Sequence, residues 1–158
     1  MKLLPANERL LRKRFPTVLH RINASQTNAS PYRLDDEGPE PRLWVRRAEN
    51  EFLFYGKGDP LKISRRWLEL ISIDAHSLYA VTGFGLGVHL REFLQRATRQ
   101  TMLFVAEKES SLLLEAFSRI DFSDLLGDDR FFLATGELDD PFFQDLQHAA
   151  VQGMRDID

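Results

Sequence analysis

The sequence predicts an α/β protein. A Rossmann-like half sheet of three parallel strands, order 3-2-1 with flanking helices, is preceded by an N-terminal helix and an antiparallel β-hairpin. Three observations lead there. Short runs rich in apolar residues over 78–82, 101–106 and 130–135 alternate with amphipathic stretches of helical period. Gly83, Gly85 and Gly87 stand between the first run and a helix beginning near Val88, the order of the opening unit of a nucleotide-binding sheet. A chain of 158 residues, 43% hydrophobic and 28% charged, has the size and composition of one packed domain. Right-handed crossovers give the strand order and set the glycine turn at the carboxyl edge of the sheet.

The elements follow in order. Over 7–23, Leu10, Leu11, Phe15, Val18, Leu19 and Ile22 recur at spacings of three and four, which predicts a helix with Asn7 as its N-cap and a kink or break at Pro16. The polar, small and proline-terminated stretch 24–31 reads as a linker. Leu43 and Val45, then Phe52 and Phe54, alternate around a turn at 46–51, giving two antiparallel strands, with 32–34 as a third; the prolines of 38–41 demand a loop. Asp59 is placed to cap a helix that Pro60 opens and that runs to Ile71, with Ile63, Trp67, Leu70 and Ile71 on one face. The chain thus divides into an appendage, 1–58, and an α/β domain, 59–158.

Within that domain, 78–82 reads as a buried strand and 88–98 as a helix burying Leu90, Phe93, Leu94 and Ala97. The nearly all-apolar 101–106 suits a strand covered on both faces. A helix over 110–120 buries Leu113, Leu114 and Phe117, 121–126 is a short helical turn, and 130–135 is the third strand. The last helix runs from Asp140, its cap, to Gln152.

Composition excludes several kinds of chemistry. Without cysteine there are no disulfides, thiolate metal sites or cysteine nucleophiles, and a cytoplasmic location fits. No apolar run approaches the roughly 18 residues of a membrane span, and no signal peptide is visible after Met1. The net charge of −3 hides an asymmetry: residues 1–22 carry +5 and residues 121–158 carry −8. A basic helix can meet nucleic acid, but no aromatics interleave with these charges, and packing on the protein's own acidic end, or solvation, accounts for them.

The chemistry candidates centre on the glycine turn. Glycines let backbone adopt positive φ and approach a ligand closely, and the N–H groups of the following helix suit an anion. Glu107 ends the second strand, 20 residues after Gly87, the place from which a carboxylate accepts bonds from a ribose. Gly83, Phe84, Gly85, Gly87, His89 and Glu107 therefore form the candidate cofactor site, with S-adenosylmethionine or a nucleotide as the ligand it could take. Against a dinucleotide enzyme, the third glycine of the fingerprint falls at Val88. Against a methyltransferase, Val81 stands where an acid is usual, and no strands follow to carry a substrate site. The competing reading is a tight strand–helix joint with an empty pocket. His89, in the first helical turn, is either a neutral donor to a phosphate or a solvated or cap-bonded side chain. His20, His76 and His148 lack metal-ligand spacing, and neither a serine elbow nor a phosphate loop occurs. Glu137, Asp139 and Asp140 could hold a metal, though a solvated loop and helix cap explain them more simply.

Four strings together carry a resemblance. They are Phe54-Tyr-Gly-Lys-Gly-Asp-Pro-Leu-Lys-Ile-Ser-Arg-Arg66, Gly83-Phe-Gly-Leu-Gly-Val-His-Leu90, Val105-Ala-Glu107 and Ile120-Asp-Phe-Ser-Asp-Leu-Leu126. They resemble the N-terminal domain of the motility accessory factor (Maf) flagellin glycosyltransferases, related to the MptE-like proteins. The likeness covers about the last two thirds of the chain, and Val88 departs from it where an aromatic is common. The resemblance implies a cytoplasmic protein that helps attach nonulosonic acid sugars to flagellin. Its partners would be a catalytic glycosyltransferase domain and flagellin. In that family the transfer site belongs to a central domain following this one, so the resemblance carries over no catalytic residue and implies a non-catalytic, supporting domain.

Overall fold

The computed structural model describes residues 1–26, 29–35 and 40–136. The predicted last helix over 140–152, the acids Glu137, Asp139 and Asp140, and His148 lie outside the described residues.

The predicted N-terminal helix is two helices, α1 (Pro5–Arg14) and α2 (Pro16–Ser25). Pro16 has no N–H to continue the ladder, and Phe15 leaves helical geometry at φ −134°. Asn7 is not the N-cap. The cap position is Leu4, and Asn7 is fully buried inside the first turn. Its side-chain amide donates to Phe117 O (2.9 Å) and Ile120 O (2.7 Å), and its oxygen accepts from Phe122 N (2.8 Å). The last carbonyls of a helix lack partners within it. Those of a helix more than a hundred residues away claim this amide.

Part of the basic surplus of the first 22 residues is likewise used internally. Arg14 donates to the carbonyls of Leu126, Asp128 and Phe131 and stacks over Phe15. Arg21 donates to Thr135 O.

A three-stranded antiparallel sheet, β1 (Tyr32–Asp35), β2 (Arg42–Arg47) and β3 (Asn50–Leu53), has the order β1-β2-β3. Ala48, at φ +52°, and Glu49 make the tight β2–β3 turn, so Phe54 falls beyond the strand predicted to hold it. Leu34 and Leu43 pair across β1 and β2, and both are buried.

Helix α3 (Pro60–Leu68) is capped by Asp59, which accepts from Leu61 N at 2.8 Å. It stops at Leu68, short of the predicted Ile71. Its buried residues are Ser64 and Leu68, whereas Ile63 and Leu70 are 44% and 83% exposed. Ser64 avoids the cost of burying a hydroxyl by donating to Pro60 O at 2.7 Å.

The parallel sheet comprises β4 (Leu78–Thr82), β5 (Met102–Glu107) and β6 (Phe131–Thr135), ordered β4-β5-β6. Central β5 is buried along nearly its whole length. β4 departs from the buried strand expected: it is an edge strand whose residues alternate between exposed and half-buried, with Leu78 49% exposed. Helices α4 (Val88–Arg96), α5 (Ser110–Arg119) and α6 (Ser123–Gly127) complete the described residues. Phe84, Phe117, Phe122 and Phe131 meet edge to face at the centre of the core. That core is continuous with Leu11 and Ile22 of the N-terminal helices and with Leu34 and Leu43 of the antiparallel sheet.

Candidate functional site

The glycine turn joins β4 to α4, and all three glycines adopt positive φ: +93° at Gly83, +54° at Gly85 and +67° at Gly87. Two of them are also places where a side chain would collide. A Cβ on Gly85 would fall on the Tyr55 hydroxyl, and one on Gly87 would lie 2.9 Å from the Phe122 ring. At Gly83 the space is open. The glycine string and the Asp121-Phe-Ser123 element therefore touch each other, and Gly87 leaves the room that the phenylalanine fills.

Four donors of the turn are directed inward. Gly83 N donates to Ala106 O at 2.8 Å and Gly87 N to Phe84 O at 2.9 Å. Phe84 N donates to Glu107 Oε2 at 2.7 Å, and Leu86 N to the Tyr55 hydroxyl at 2.8 Å. The other carboxylate oxygen of Glu107 accepts from Glu109 N at 2.9 Å, just ahead of α5. Glu107 is only 6% exposed, so it is a buried acceptor that bridges the turn to the start of α5. Charge-assisted bonds of this kind are roughly twice as strong as neutral ones. The Phe84 ring is fully buried among the core phenylalanines.

His89 lies in the first turn of α4, with Nε2 3.2 Å from Gly83 O and its ring edge-on to Trp67. Burial lowers its pKa, and the bond to Gly83 opposes that only in part. All six residues of the predicted site thus come together around one joint, where five of them, all but His89, meet neighbouring protein through a backbone amide, a carboxylate or a close-packed position.

Sequence reasoning missed Tyr55, whose hydroxyl reaches across from the end of the antiparallel sheet. Burial raises its pKa, the bond from Leu86 opposes the rise, and the charge of Glu107 adds to it. The one signal for it was an aromatic beside Gly56 and Gly58, too generic to assign a role.

Two clefts flank Tyr55. One, about 360 Å³, is bordered by Pro41, Arg42, Leu53, Lys57 and Asp59. The other, about 480 Å³, opens between α3 and the edge of β4, where Ile63, Ser64 and Trp67 face Ala80, Thr82 and His89. Among the described residues no group of three His, Asp or Glu side chains could hold a metal ion, and no helix is long and apolar enough to cross a membrane. Comparison with protein-family models, with curated proteins and with solved structures finds no match to this chain.

Proposed function

We propose that this chain is a non-catalytic α/β domain working through protein contacts. Its context would be that of the Maf-type flagellin glycosyltransferases in the cytoplasm, where it supports a catalytic domain not contained in these residues. The observation behind this reading is that the glycine joint spends two of its amide donors on the protein's own side chains. Glu107 and Tyr55 take the amide protons of Phe84 and Leu86, two donors that an anionic ligand would need. A phosphate there would also meet the buried carboxylate of Glu107. The parallel order β4-β5-β6 with intervening helices supports a Rossmann-like half sheet whose opening turn serves as a structural joint. The packing of Gly87 on Phe122 supports the resemblance in particular, because it gives two of the strings that carry it one shared structural purpose.

Calorimetric titration with S-adenosylmethionine, S-adenosylhomocysteine, CMP and NAD tests the site, and no binding heat is expected. Saturable binding that Glu107→Ala abolishes would replace this reading with that of a nucleotide or adenosylmethionine binder. The context is tested separately. The purified chain, given a nonulosonic acid donor and flagellin, should transfer no sugar, but should bind a separately produced Maf catalytic domain. Transfer by the chain alone, or no association with that domain, would refute it.

A further inference from the structure

The edge of β4 carries an inference that goes beyond this reading and does not depend on the family context. Pairing with β5 uses Ser77 O, which accepts from Met102 N at 2.9 Å, and Gly83 N, which donates to Ala106 O at 2.8 Å. Backbone groups in a strand alternate direction with a period of two. The odd-numbered residues therefore serve β5, and the N–H and C=O groups of Leu78, Ala80 and Thr82 point away from it. Among the described residues no strand pairs with this edge.

Exposed edges are ordinarily protected by proline, charge, a bulge or a covering element. The sequence Leu-Tyr-Ala-Val-Thr of β4 has no proline or charge, and its register with β5 runs without a bulge. Beside it stands the cleft of about 480 Å³ with α3 as its far wall. Ile63, 44% exposed, and the indole of Trp67 make that wall apolar, and Ser64 and His89 supply polar groups.

We infer that the β4 edge and this cleft form a docking slot for an extended segment of a partner polypeptide, which adds to the parallel sheet as a fourth strand. An extended backbone presents donors and acceptors at the same two-residue period as Leu78, Ala80 and Thr82, and its alternate side chains would fall against Ile63 and Trp67. Because α3 flanks the edge, the slot suits a single extended segment better than the edge of a second folded sheet. The stretch of the partner that pairs with β4 is uncharged, with apolar or β-branched residues at alternate positions.

The test is an NMR titration of the ¹⁵N-labelled chain with a synthetic heptapeptide of alternating valine and threonine, lysine at both ends. Amide shifts concentrated at Leu78, Ala80 and Thr82, with slowed hydrogen exchange there, are expected. Ala80→Pro removes an outward N–H without touching the β4–β5 ladder and should weaken binding at least tenfold. Ile63→Glu, at an exposed wall position, should weaken it at least fivefold, and it decides the matter if the proline variant does not fold. Shifts confined to other residues, no shifts at millimolar peptide, or unchanged affinity in the folded variants would overturn the slot. So would self-association through β4 that the peptide does not displace, because a second copy would then be the occupant.

Discussion

Glu107 shows how a residue type read as a ligand group can be consumed by the fold. Its carboxylate holds two backbone amides, Phe84 N and Glu109 N. Glu107→Ala leaves the buried Phe84 N and the part-buried Glu109 N without their acceptor and should cost about 2–3 kcal/mol of stability. Glu107→Gln, which keeps an accepting oxygen, should cost less, and urea denaturation of the three proteins checks the order. His89 gives a pH prediction. Burial holds its pKa below the ordinary 6.5, so near pH 6 the unfolded chain binds a proton that the folded chain refuses. The contribution to stability is then full above pH 6.5 and falls as the pH drops through the window down to the folded pKa. The urea midpoint should decline from pH 7.5 to pH 5, and His89→Gln should flatten part of that decline; equal slopes would show that the imidazole is not responsible.

At the level of elements, the β4–α4 joint separates two costs of replacing glycine. Gly83→Ala meets open space and pays only for positive φ, about 1–2 kcal/mol. Gly85→Ala meets the same backbone cost and also displaces the Tyr55 hydroxyl from Leu86 N, so it should lose at least a further 1 kcal/mol or so. Thermal unfolding of the two variants tests the ranking, and equal losses would argue that Tyr55 adjusts freely. Several elements were legible in the sequence for local reasons. Asp59 followed by Pro60 announces a helix start because both act on adjacent backbone, and the central strand announces itself by its unbroken apolar run. What was not legible depends on distant neighbours. Asn7 looks like a cap until the end of α5 is placed beside it, and β4 reads as buried because its composition does not reveal how little covers its two faces. The face of α3 was misjudged for the same reason: Ser64, not Ile63, faces the core.

Over the whole molecule, the N-terminal helices supply Leu11, Phe15, Val18, Leu19 and Ile22 to the same core as the parallel sheet. Removing residues 1–26 should therefore leave a chain with no cooperative unfolding transition and with collapsed amide dispersion in NMR spectra. A shortened chain that keeps a sharp transition would show that the α/β part folds without them. The Asn7 clamp sets a schedule for birth on the ribosome. Its partners follow by 110 to 115 residues, which at about 5–20 residues per second is roughly 5–25 seconds of translation. During that interval Asn7 has emerged without any of its three partners. In nascent chains stalled at increasing lengths, α1 should gain protection from protease only once Phe122 has cleared the exit tunnel. The first helix made is thus among the last to be secured, and its cluster of arginines and lysines keeps it soluble while it waits.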